Sequence, residues 1–133
     1  MVDVTAASFD EMEAIFDGAA RRARATLGVT AFGMQLLTLP PNWDGYPNHK
    51  HDASSVDPNQ EEVYIPLAGS ATLEADSESF DLQPGMMVRV GPEQLRQIKP
   101  GPEGIRLIAL GGAPGAFSAS PWTEVGGPLP HAG

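Results

Sequence analysis

After Gly28 the chain breaks into short apolar runs, GMQLLTL, EVYIPL, SATLEA, ESFDL, MMVRV, LRQI and IRLIAL, each closed by glycine, proline or a polar cluster. Such runs are too short for stable helices, and their alternating, partly β-branched pattern predicts strands. Turn signals, LAGS, ADSES, LQPG and KPGPEG, recur at roughly 8 to 14 residue intervals, with no helical segment between them long enough for a parallel crossover. The expected fold class is therefore all-β, an antiparallel sandwich or barrel of the jelly-roll kind.

The preceding segment has a different period. In SFDEMEAIFDGAARRARATLG, Phe9, Met12, Phe16, Ala19, Ala20, Ala23 and Leu27 recur at three- and four-residue spacings, which predicts one amphipathic helix. Ser8 and Glu11 form a capping-box pair, arginines 21, 22 and 24 suit a helix C-terminus, and Gly28 supplies the stop. The far end, GGAPGAFSASPWTEVGGPLPHAG, is too rich in glycine and proline for a ladder and reads as an extended arm with Phe117 and Trp122 as its large anchors. At 133 residues this is one domain: residues 1–28 helical, 29–112 the β-barrel, 113–133 the arm.

Charge and composition exclude several classes of partner. Seventeen acidic against eight basic residues give a formal charge of -9, which repels nucleic acid and anionic lipid. With no cysteine, a metal here would take imidazole and carboxylate ligands. Acidic residues near the N-terminus and the lack of a long apolar run lead to the expectation of a cytoplasmic protein.

One stretch carries chemistry, NHKHDASSVDPNQEEVYIPLAG, residues 48–69. On extended backbone, His49 and His51 point to one face and Lys50 to the other. Glu62 alternates with Val63 and so shares a face with Tyr64. Two imidazoles and a carboxylate make a set that suits Fe(II), Zn(II) or Mn(II) and leaves coordination positions open. The alternative is that both histidines lie in a proline-bounded loop, YPNHKHD, and face water.

The stretch resembles the first cupin motif, in which a glycine precedes H-x-H, a spacer leads to a glutamate, and six residues separate that glutamate from a second glycine. His49, His51, Glu62 and Gly69 match. LQPGMMVRVGPEQLRQI resembles the second cupin motif through Pro84 and Gly85. The resemblance covers about residues 30–112 and implies a small cupin barrel with a ligand pocket in its mouth, a divalent metal (Fe, Zn, Mn or Ni), an oxygenase or isomerase type of activity, and a homodimer. It also departs from the pattern. Gly45 stands four rather than six residues before His49, and ten residues, DASSVDPNQE, separate His51 from Glu62. Met86, Gly91, Glu93 and Pro100 replace the usual aspartate, proline, glycine and asparagine, and Arg96 falls where the third metal-binding histidine would be.

Arginine cannot ligate a metal. A guanidinium roughly 5 Å from a dication would be repelled by about 6 kcal/mol at an effective dielectric near 20, so the two coexist only with a carboxylate between them. The site expected from the sequence is thus His49, His51 and Glu62 for metal, with Arg96, Tyr64 and Gln94 for a small polar or carboxylated substrate. Gln97, Met34, Leu36, Met87 and Leu107 are further candidates for pocket lining or core. Two other readings remain open: a metal-free binding or sensing module built on a Glu62 and Arg96 ion pair, and an assembly protein whose pocket is filled by Met86, Met87 or the 52–60 loop. The loop itself, polar and with Val56 as its one aliphatic residue, is expected to be mobile.

Overall fold

The computed structural model describes residues 2–117. Seven antiparallel strands dominate it: β1 (Ala14–Ile15), β2 (Ala20–Arg21), β3 (Gly33–Leu39), β4 (Glu61–Ala75), β5 (Glu78–Leu82), β6 (Val88–Val90) and β7 (Gln97–Gly112). They form one sheet in the order β1-β2-β3-β7-β4-β5, with β6 paired to β4. The sheet curls as a jelly roll does without closing strictly, because β1 and β5 remain its ends.

The strands follow the alternation of the sequence. β3 covers the whole run GMQLLTL and β5 the whole run ESFDL. Leu37 and Leu39 of β3 pair with Leu107 and Ile105 of β7, and all four are buried. Leu73, Leu82, Ile98 and Leu107, each at most 1% exposed, anchor the interior. Each contributes roughly 1.5–3 kcal/mol by leaving water.

Two of the four turn signals are not turns. EVYIPL and SATLEA join through LAGS into the single strand β4, and LRQI and IRLIAL join through KPGPEG into β7. The reason is mutual pairing: the two long strands are antiparallel over most of their length and bend together at register shifts between Pro66 and Ala68 and between Gly69 and Ala71. Gly69, the motif glycine, has φ +76, and a Cβ there would collide with the carbonyl of Gly104. The bend thus needs a residue without a side chain at this position.

The N-terminal segment departs from the expected amphipathic helix. Two 3₁₀ turns (Phe9–Glu11 and Phe16–Gly18), the strands β1 and β2, and one five-residue helix α1 (Ala23–Leu27) replace it. Ser8 and Glu11 do interact, with Ser8 N–H and Oγ both donating to Glu11 Oε1, but the turn they start ends at Met12. Phe16, Asp17 and Gly18 all have positive φ, 52°, 55° and 87°, which ends helical propagation there. The chain gains instead by adding Ala20 and Arg21 to the edge of β3, opposite Leu37 and Leu36. The three-residue spacing of apolar side chains serves this arrangement too, burying Met12, Ala20 and Ala23. At the other end, residues 113–117 are exposed, Phe117 is 59% exposed, and Trp122 with the rest of the expected arm lies outside the described residues.

Candidate metal centre

Glu62 sits near the start of β4, flanked by Gly111 of β7 and Val90 of β6, and faces the interior beside Tyr64. The histidines approach it from outside the sheet. His49 forms an isolated antiparallel bridge with Arg96, each N–H donating to the other's carbonyl at 2.9 Å, and His51 N–H donates to Pro92. Extended backbone at 49–51 then puts both imidazoles on one side, with ring centroids 4.9 Å apart and planes at 89°. His49, His51 and Glu62 each offer a ligand atom within 4.8 Å of the others.

Each imidazole is oriented by a backbone oxygen. His49 Nδ1 lies 2.9 Å from the carbonyl of Pro47, and His51 Nδ1 lies 2.9 Å from that of Asp57. A carbonyl only accepts, so both Nδ1 atoms carry the proton and each Nε2 is left as the free ligand nitrogen. His51 Nε2 is 3.2 Å from Glu62 Oε1. A bare nitrogen lone pair and a carboxylate oxygen repel at that distance, so the arrangement calls for a cation between them, a proton or a metal. Burial, followed by the nearby Arg96 and His51 charges, lowers the pKa of His49 below its ordinary 6.5 despite the bond to Pro47. The fold therefore favours neutral His49, a contribution to stability complete above pH 6.5 and lost as pH falls below it.

Beneath the cluster lies a polar network. Glu62 Oε1 accepts from Tyr64 Oη at 2.7 Å and from Arg96 Nη2 at 2.5 Å, and Arg96 Nε reaches Tyr64 Oη at 3.4 Å. Arg96 Nη1 donates to the carbonyls of Gly91 and Gln94. Both Arg96 and Tyr64 are completely buried, and no buried side-chain nitrogen or oxygen among the described residues lacks a partner. Burial, then the neighbouring Tyr46 and Glu62, raises the pKa of Tyr64, and burial pushes Tyr46 up to about 12, so both phenols stay protonated and that of Tyr64 donates to Glu62.

The residues expected at the site are distributed as follows. His49, His51, Glu62 and Tyr64 line a cavity of about 1020 Å³ that also reaches Tyr46, Trp43 and the N-terminal segment. Arg96 faces inward behind Glu62 and is sealed from the cavity, its guanidinium engaged by a protein carboxylate rather than open to a substrate. Gln94 is outside the cavity as well: its Nε2 donates to the carbonyl of Leu95. Gln97 donates to the carbonyl of Tyr46, Met34 lines the cavity, and Leu36 and Leu107 are buried. Met86 and Met87 are 46% and 70% exposed, so they do not plug the pocket.

The 52–60 loop has a role that its composition did not signal. Val56 is 98% exposed and anchors nothing. Asp52 organises the loop instead, accepting from Ser54 N–H and Oγ and from Ser55 Oγ. Gln60 N–H returns to the carbonyl of His51, and Asp57 supplies the carbonyl that orients His51. Partners of this kind typically account for 10–100-fold in metal affinity. Replacing residues 53–58 by two glycines is expected to weaken Zn(II) binding by about tenfold, as read by calorimetry; unchanged affinity would show that Asp57 does not orient the ring.

No family model and no curated protein matches the chain. Solved structures do. A cupin protein from Bacteroides fragilis superposes with a TM-score of 0.70 at 20% identity, covering 93% of this chain and 96% of that one. A cupin 2 conserved barrel domain protein from Salinispora arenicola gives 0.64 at 17% identity, covering 87% and 92%. The DMSP lyase DddQ from Ruegeria pomeroyi gives 0.54 at 19% identity, over 68% of this chain and 42% of that one. The fold is thus that of the cupin barrels. No helix among the described residues is long and apolar enough to cross a membrane.

Proposed function

We propose that this cupin-fold chain binds a divalent transition metal through His49, His51 and Glu62 and takes a small ligand in the adjoining cavity. One observation carries the reading: both imidazoles present Nε2 while carbonyls hold Nδ1, and one Nε2 stands 3.2 Å from the Glu62 carboxylate. Such a set leaves coordination positions open, and a bound metal would supply Lewis acidity there. The protein's own part is to fix both imidazoles, to position Glu62 through its hydrogen bonds from Arg96 and Tyr64, and to shape the cavity. An oxygenase, isomerase or lyase type of activity is compatible with this arrangement; the lyase among the structural neighbours supports only the capacity of the fold.

Calorimetric titration of Zn(II), Mn(II), Ni(II) and Fe(II) into chelator-treated protein tests the reading. One ion per chain is expected, with His49→Ala weakening affinity at least about tenfold, or roughly 1.4 kcal/mol. Equal affinity in the two proteins, or no binding, would favour the metal-free alternative, in which a proton on His51 bridges to Glu62 and the network holds a polar ligand directly.

We also propose a homodimer. The outward side of β7 and β4 carries Leu110, Val63, Ile108 and Ile65 in paired register, only partly buried. A second copy would cover these apolar side chains. Sedimentation at micromolar concentration is expected to give twice the chain mass; a monomer would refute it.

A further inference from the structure

Glu62, Gly111 and Gly33 lie side by side across β4, β7 and β3, and all three line the cavity. Directly opposed residues of antiparallel strands point to the same face. The two positions beside Glu62 therefore carry no side chain of their own; the Gln60 amide oxygen lies over Gly111, and past it a trough opens over Gly33 of β3, two strand spacings or roughly 10 Å from Glu62. Arg24 and Ala25 of α1 line the cavity together with Gly33.

Charge marks that far end. Of the eight lysines and arginines in a chain of net charge -9, Arg22 and Arg24 alone line the cavity. Arg22 is paired with Glu13 at 3.0 Å. Arg24 gives one Nη1 hydrogen bond to the carbonyl of Val29, and no carboxylate of the described residues lies within ion-pair distance of it. An arginine with donors to spare suits a carboxylate or another oxyanion. The walls between combine apolar Trp43 and Leu37 with the amides of Gln35 and Gln60, and Phe16 and Asp17 line the cavity from the N-terminal segment. Phe16 is 76% exposed on backbone of φ 52, a conformation that bulky residues rarely adopt. This backbone holds the aromatic ring out of the core, where it can meet an apolar ligand.

We propose that the cavity selects an elongated organic anion, its apolar body lying along the glycine trough between Trp43 and Phe16 and its anionic group held by Arg24. This builds on the proposed metal site by naming the ligand class and the residue that reads its charge, in place of the sealed Arg96. Binding of 4-phenylbutyrate and of the uncharged 4-phenylbutan-1-ol is to be compared by calorimetry in chelator-treated and Zn(II)-loaded protein, for wild type, Arg24→Gln and Arg24→Lys. Wild type should prefer the acid at least about tenfold, equal to roughly 1.4 kcal/mol, with or without zinc. Arg24→Gln should abolish the preference and Arg24→Lys keep part of it. A preference that survives Arg24→Gln, one that exists only with zinc, or the binding of neither probe at millimolar concentration would overturn the proposal. Absence of zinc binding with the metal-free preference intact would instead refute the metal site and leave Arg24's role standing. Unchanged melting temperatures verify that exposed Arg24 is not needed for folding.

Discussion

Replacing the buried guanidinium by an imidazole, Arg96→His, is expected to tighten Zn(II) binding by at least about tenfold, or roughly 1.4 kcal/mol. The backbone of residue 96 is bridged to His49, so the side chains of the two leave the chain side by side toward Glu62. The substitution removes a buried positive charge that disfavours a cation and puts a nitrogen donor in its place. It also frees Glu62 from the guanidinium now 2.5 Å away. Anion binding in the cavity should be unaffected, because Arg96 is wholly buried and does not line it. Calorimetric titration of both proteins with zinc, then with 4-phenylbutyrate, checks the two halves. Equal zinc affinity would mean that Glu62 already screens the guanidinium completely and that histidine at 96 falls short of the site.

Glu62→Ala should lose about 3–5 kcal/mol of stability, the usual consequence of stranding one member of a buried ion pair. Arg96 is 0% exposed and its guanidinium cannot shed its proton, so without Glu62 its charge has only Tyr64 and the carbonyls of Gly91 and Gln94. His49→Ala, which strands no charge, should cost far less while still weakening zinc binding. Adding Arg96→Met to Glu62→Ala should recover most of the loss, since a long apolar side chain fills the site without a charge. Urea unfolding of wild type, Glu62→Ala, Arg96→Met and the double variant measures this cycle, with His49→Ala beside it. A loss under about 1 kcal/mol for Glu62→Ala would mean that water reaches the guanidinium and that the network is not structural.

The contrast between these two variants shows where local pattern stops being informative. Period-two alternation placed Glu62 and Tyr64 on one face, and their hydrogen bond at 2.7 Å follows from it. The same alternation delimited β3 and β5 and put one residue between two histidines that turn the same way. These features depend only on the geometry of extended backbone, which any residue carries with it. The inward direction of Arg96 was legible through its position in the second motif, but its partner was not. A guanidinium may meet a substrate or a protein carboxylate, and the choice depends on how far Glu62 lies from it across the sheet.

What only the tertiary structure decided involves pairing between segments distant in sequence. The three-residue apolar spacing of residues 9–27 fits a helix as well as it fits short turns and an added edge, and β3's open side settled the matter in favour of β2. KPGPEG has the composition of a turn, yet β4 extends alongside it and holds it in β7. The loop after His51 is polar, but its Asp57 carbonyl fixes an imidazole, a contact that no composition records because any residue could supply the oxygen. Glu62, Gly111 and Gly33 share one wall of the cavity because they fall in one register row of three strands. The sequence by itself determined the strands, the glutamate's face and the ligand types; register across the sheet determined which of those residues share a cavity, because register is set by the whole fold's burial and not by any one segment.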